Sequence, residues 1–268
     1  MNCLFCKQDS SASKSVEHVI PESLGNKEHV LAKGLVCDKC NQYFAIKVEK
    51  PLLEQPYFRF VRNRLGIENK KQTIPVVEII SLSPGPKKVE LMNDGDGQFS
   101  IIIPDGKSPS EYFGATSGRL IIPVLDGPAS DNIVISRFLA KASIEALMLK
   151  VYPDADLMNE VLNKPDLEPI KQYARFGKIT AYWPYHQRRL YSETSRFNNA
   201  KLGVANYEIL HEWRFLYTDE LHLYFVLCIL GIEYAINMGG PGTESYKKWL
   251  NEHNHKSILD DSDEIPVS

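Results

Sequence analysis

Two Cys-x-x-Cys pairs, Cys3/Cys6 and Cys37/Cys40, bracket an adjacent carboxylate and imidazole, Glu17 and His18, and Asn41 directly follows the last cysteine. Four thiolates on two such knuckles can close a tetrahedral zinc site. An imidazole with an ordinary pKa of roughly 6.5 can take a proton from water at neutral pH. The carboxylate of Glu17 and the amide oxygen of Asn41 are hard donors of the kind that Mg²⁺ or Mn²⁺ prefers. No other stretch of the 268 residues has comparable chemical density. A redox role would place Cys-x-x-Cys at a helix start after a strand, which CLFC at the N-terminus does not supply. In a reducing compartment such pairs favour metal over disulfides. The fifth cysteine, Cys228, lies in the apolar run LYFVLCIL and reads as a small buried hydrophobe.

The elements that must position these residues follow from local pattern. KQDSSASKS is a polar, Ser-rich loop. Val16 to Pro21 is a short strand whose successive side chains point to opposite faces. For Glu17 and His18 to serve one site, the strand must therefore bend or end there, and Pro21 suits an early end. ESLGNKEHVLAKG reads as loop, with Gly25 and Gly34 at turns. Asp38 to Leu53 has Phe44, Val48 and Leu52 at helical spacing, with Pro51 and Pro56 ending or kinking it. The 30 residues from Lys7 to Val36 leave room for a ββ hairpin between the knuckles.

These residues carry a resemblance. CLFC…VEHVIPESLGN…VCDKCNQYF is similar to the HNH endonucleases, specifically the zinc-ribbon subgroup with EHxIPESLG and CxxCN signatures, over about the first 55 residues. The resemblance implies a ββα-metal fold in which a strand carries the acid-imidazole pair and the following helix carries the last ligand. It implies His18 as general base, Glu17 and Asn41 as ligands of a catalytic Mg²⁺ or Mn²⁺, and Cys3, Cys6, Cys37 and Cys40 around a structural zinc. It implies DNA as substrate, cut to 5′-phosphate and 3′-hydroxyl ends. Phosphodiester hydrolysis asks for this chemistry: a base to generate the nucleophile and a cation for the developing charge. Two positions depart from the family pattern. Ala32 stands where a central Asn is common, so the loop tether falls to Asn26 or His29. Ala45 stands where some members have a further His ligand. Glu49 shares a helical face with Asn41 but is two turns away, too far to ligate the same ion, and reads as structural.

The rest of the chain reads as body. Hydrophobic residues make up 43% and charged residues 24%, as in an ordinary globular protein. Residues 1–71 hold 12 Lys/Arg against 8 Asp/Glu and the remainder 19 against 26, a weakly basic head on an acidic body. Arg59, Arg62, Arg64, Lys70 and Lys71 form the most basic window, interleaved with aromatics, and suit phosphate contact. A solvated helix face is the alternative. The chain opens MNCLFC without the pattern of a cleaved leader, and its longest apolar run, Leu221 to Ile232, is short for a membrane span, so a cytoplasmic protein is expected.

Strands are expected at Ile74–Leu82, Val89–Met92, Gln98–Pro104, Ile179–Tyr185, Tyr207–Tyr217, Leu221–Leu230 and Ile232–Asn237. Helices are expected at Ser130–Val151, Asp166–Phe176 and Glu244–Glu252, followed by an acidic tail. The expectation is an α+β protein, with the HNH module in 1–70 and an α+β domain with an antiparallel sheet in 71–268. That second region is open to recognition, homodimerisation or effector sensing. Small heads on such bodies resemble restriction and anti-phage systems. A non-catalytic zinc-ribbon module binding nucleic acid or protein is the rival reading.

Overall fold

The computed structural model describes residues 1–82, 85–95, 97–103, 106–114, 119–177, 182–199, 201, 203–260 and 264–267. Contacts divide the chain into two compact units. One comprises Met1–Pro21, Asn26–Leu52 and Ala129–Ser268, the other Glu22–Gly25 and Leu53–Pro128. The cysteine-bearing segment is thus grouped with the C-terminal part of the chain.

In the first unit the expected hairpin is minimal. His18 pairs with Val30 in a single antiparallel bridge, flanked by Leu31 N–H donating to Glu17 O (2.9 Å) and Val19 N–H to His29 O (3.1 Å). The backbone bends at Val19–Ile20, immediately after the acid-imidazole pair. Helix α1 (Asp38–Phe44) runs through a π turn, Ala45–Glu49, into α2 (Lys50–Leu53). Pro51 supplies no N–H to the ladder, and the widened i→i+5 pattern just before it accommodates that loss.

The second unit is a sheet with helices on one face. After α3 (Pro56–Arg64) come β1 (Val77–Ser81), β2 (Lys87–Asn93), β3 (Phe99–Ile102), α4 (Pro109–Phe113) and β4 (Leu120–Ile121), in sheet order β3-β2-β1-β4. Val77, Ile79, Val89 and Leu91 alternate inward and pack against Phe60, Tyr112 and Phe113. Asn63 donates to Pro75 O (2.8 Å) and Leu91 O (3.2 Å), fastening α3 to the sheet.

The chain then completes the first unit. Helix α5 (Ile133–Val151) is capped by Asn132, α6 (Ala155–Asn163) by Asp154, and α7 (Glu168–Phe176) ends at left-handed Gly177. Strands β5 (Tyr185–Arg189), β6 (Phe197–Asn199), β7 (Val204–Tyr207), β8 (His211–Tyr217), β9 (Leu223–Ile229) and β10 (Ile232–Asn237) follow, then α8 (Glu244–Glu252) and β11 (Glu264–Pro266). The main sheet runs β5-β10-β9-β8, antiparallel throughout, and a smaller one runs β11-β6-β7. Strands β9 and β10 are interior, which accounts for a run that is apolar on both faces. They join through Leu230 (φ +51°) and Gly231 (φ +79°), and a Cβ at Gly231 would lie 2.1 Å from Tyr191 O.

The fold is therefore α+β with antiparallel sheets behind an N-terminal ββα module. Several elements differ from pattern-based expectation. α5 begins at Ile133 with Asn132 rather than Ser130 as cap, and Tyr207–Tyr217 divides into β7 and β8. The strand expected at Ile179–Tyr185 begins only at Tyr185; residues 179–181 lie outside the described residues. Pro104, Asp96 of the expected NDGDG turn and 261–263 of the acidic tail lie outside them too, while Glu264–Pro266 adds an edge strand beside β6. Among the described residues no helix is long and apolar enough to cross a membrane.

Candidate metal centre and active site

The four cysteine sulfurs lie within 4.8 Å of one another, with Cys6 Sγ 3.6 Å from Cys37 Sγ. Zinc–sulfur bonds of about 2.3 Å in a tetrahedron place sulfurs roughly 3.8 Å apart, so the donor set fits zinc. Cys3 and Cys40 are fully buried. Backbone N–H groups point at sulfur, Cys37 N to Cys3 Sγ (3.3 Å) and Cys40 N to Cys37 Sγ (3.4 Å). The thiols also share protons. A hydrogen bond from Cys40 pulls Cys3 down to about 4, and the same contact pushes Cys40 up. A divalent cation in place of those protons satisfies all four sulfurs at once.

The knuckles are braced from the C-terminal part of the unit. Arg175 of α7, 8% exposed, donates Nε to Cys40 Sγ at 3.3 Å and stacks over the Tyr43 ring at 4.0 Å. Arg137 of α5 donates to Tyr43 Oη (3.0 Å) and Ala174 O (3.1 Å). Four thiolates on zinc carry net negative charge, and a buried guanidinium offsets it.

Above this staple, Asn41 donates Nδ2 to Val16 O (2.9 Å), so the helix that follows the second knuckle touches the strand just before Glu17 and His18. That bond uses one amide hydrogen and fixes the side chain, leaving Oδ1 as the end suited to a cation. Asn26, with no exposure, is the loop tether. It donates to Ile20 O (2.7 Å) and His29 O (3.1 Å) and accepts from Glu28 N (3.1 Å) and His29 N (2.9 Å). His29 serves the packing instead. Its ring lies 5.4 Å from His211 and 5.6 Å from Trp213, and burial lowers its pKa.

Glu17 and His18 differ in exposure. His18 is half-buried, whereas Glu17 is 6% exposed and meets Lys141 of α5, Oε1 to Nζ 2.7 Å. The same ammonium contacts Glu49 Oε1 (2.7 Å), Glu145 Oε2 (2.9 Å) and His18 O (2.8 Å). Burial opposes the charge on Lys141, but Glu145, Glu17 and Glu49 outweigh it and hold its pKa well above the ordinary value. Burial pushes Glu145 well above the carboxylate range.

The basic window divides. Arg59, Lys70 and Lys71 are exposed, although Arg59 donates Nε to Val76 O (2.9 Å). Arg64 is half-buried, and Arg62 is only 5% exposed, with burial lowering its pKa. Arg62 thus faces the core of its unit and presents no charge to a phosphate in this conformation.

Sequence reasoning did not find Lys141, Glu145, Arg137 or Arg175. For Lys141 and Glu145 a signal existed: they sit four apart in a helix whose other faces are apolar or small, the mark of a helix buried all round.

Four converging cysteines close a small module in which a carboxylate-imidazole pair sits at a single antiparallel bridge ahead of a helix. Residues 3–57 match the family model described as HNH endonuclease, so the N-terminal region is an HNH-type domain. No curated protein and no solved structure matches the chain.

Proposed function

We propose that the chain is a metal-dependent DNA endonuclease that hydrolyses phosphodiester bonds with His18 as general base. The observation that carries this reading is the Asn41 Nδ2–Val16 O bond of 2.9 Å, which joins the helix after the second knuckle to the segment bearing Glu17 and His18. The family match over residues 3–57 supports it.

Glu17 and Asn41 would hold a Mg²⁺ or Mn²⁺ ion, which supplies charge for the phosphoryl and leaving oxygens. His18 takes a proton from water, whose oxygen attacks phosphorus in line as the bond to O3′ breaks, and the leaving O3′ is protonated from solvent. The products are a 3′-hydroxyl and a 5′-phosphate. The zinc held by Cys3, Cys6, Cys37 and Cys40 is structural. Exposed Arg59, Lys70 and Lys71 contribute phosphate contacts. Residues 71–268 supply recognition, dimerisation or effector control, in a restriction or anti-phage setting inside the cytoplasm.

Supercoiled plasmid incubated with Mg²⁺ or Mn²⁺ tests the proposal. The wild type nicks or linearises it, and His18→Ala at equal zinc content is slower by roughly 10²- to 10⁴-fold. Plasmid left intact by both proteins with every metal defeats the nuclease reading. One observation favours a second reading, a non-catalytic zinc-ribbon module binding nucleic acid or protein: Glu17 is buried and held by Lys141. That module would retain DNA without cutting it, whatever stands at position 18.

A further inference from the structure

The acid-imidazole dipeptide is gripped by a residue from far along the chain. Lys141 Nζ reaches the side chain of Glu17 (2.7 Å) and the main-chain oxygen of His18 (2.8 Å), two consecutive residues. It also reaches Glu49 (2.7 Å), in the π turn that continues the helix bearing Asn41. One ammonium therefore links both arms of the ββα module. On one arm it sets the Glu17 carboxylate and the peptide plane from which His18 departs; on the other it holds the helix that presents Asn41. Packing does not require a charge here, because an apolar side chain would fill the same volume without the desolvation cost of a wholly buried cation. What the charge adds is direction: a fixed donor at 2.7 Å holds the Glu17 carboxylate in one orientation.

We infer that Lys141 is a positioning residue of the nuclease site, orienting Glu17 toward the catalytic ion and fixing the backbone at His18. The inference rests on the reading of Glu17 as an ion ligand and His18 as the base. It makes α5 part of the catalytic apparatus, although the family match ends at residue 57.

Full-length Lys141→Gln is compared with wild type in Mn²⁺ titrations followed by electron paramagnetic resonance, and in cleavage of a duplex under saturating and limiting DNA. Gln leaves the Glu17 and Glu49 carboxylates without their cation, so Lys141→Gln/Glu145→Gln, which removes both members of the wholly buried pair, is measured beside it. Positioning predicts that Mn²⁺ affinity and kcat fall roughly 10- to 100-fold in both variants while KM for DNA stays within about twofold. A merely structural lysine would lower the melting temperature and leave the folded fraction with wild-type Mn²⁺ affinity and kcat. Unchanged or tighter Mn²⁺ binding overturns the inference, tighter binding meaning that the ammonium only competes with the ion.

Should neither variant fold, wild type labelled with ¹⁵N-lysine decides. The Lys141 Nζ resonance shifts in step with Mg²⁺ saturation if the inference is right, and stays fixed if it is wrong. Wild type that binds Mn²⁺ but cuts nothing sinks the nuclease reading, while the titrations still judge Lys141. Wild type that cuts as fast as both variants sinks Lys141 alone, and wild type that binds no Mn²⁺ overturns the inference outright.

Discussion

Asn26 satisfies four backbone groups from a position that solvent does not reach. Replacing it with Ala removes four hydrogen bonds that fix this loop, among them the one to Ile20 O, at a cost of roughly 2–4 kcal/mol in urea unfolding. Asn26→Asp keeps the acceptor side only and should fall between the two. The residue was legible only as one of two, because Ala32 vacates the usual tether and Asn26 and His29 could each replace it. Lys141 was not. The apolar or small faces around Lys141 and Glu145 signal a buried pair, but only the fold brings Glu17 and Glu49 to the same ammonium. The spacing of Glu17, His18 and Asn41 spoke to chemistry, but not to the face on which each side chain would lie.

Among elements, α7 is the one whose importance no local pattern announced. Its Arg175 lies against a cysteine that precedes it by 135 positions. With the charge removed, Arg175→Gln should lose zinc to a chelator roughly tenfold faster than wild type, read with a chromophoric zinc indicator. Arg175→Lys, unable to stack on Tyr43 and donate at the same fixed geometry, should recover only part of the difference. Regular elements with strong periodicity were legible: the helix after the second knuckle, β10 and α8. Short elements without a periodic stripe, such as α6 and the two-residue β4, were not, because packing defines them rather than propensity.

Strand β5 carries a titrating group of its own. His186 packs on Tyr246 with ring centroids 5.4 Å apart, facing Glu233, Arg188 and Lys247, and burial lowers its pKa below 6.5. As pH falls past 6.5 the unfolded chain takes up the proton before the folded one does. Stability present above that point is therefore lost through the window down to the folded pKa. Thermal melts from pH 7.5 to 5 should show this slope, and His186→Phe should flatten it.

At the scale of the whole molecule, the first unit is assembled from both ends of the chain around an interior hairpin. Gly231 turns that hairpin in a left-handed conformation, with Tyr191 O where a side chain would go. Gly231→Ala should cost about 2–4 kcal/mol, enough to lower the melting temperature of the full chain by several degrees. The antiparallel α+β class was legible from alternation and turns. The discontinuity of the unit was not, since nothing in residues 53–128 marks them as an insertion between parts that belong together.

That discontinuity sets an order of events during synthesis. Residues 1–52 leave the ribosome first, and the intervening Leu53–Pro128 takes about 4–15 s to translate at roughly 5–20 residues per second before α5 can appear. For that interval the nascent head carries its cysteines and His18 without Lys141 and Arg175. Zinc can load early on the knuckles, but the Lys141 and Arg175 contacts form only once α5 and α7 have been made. A chain whose translation stops short of α5 would hold its four cysteines without the buried ammonium that meets Glu17, His18 and Glu49.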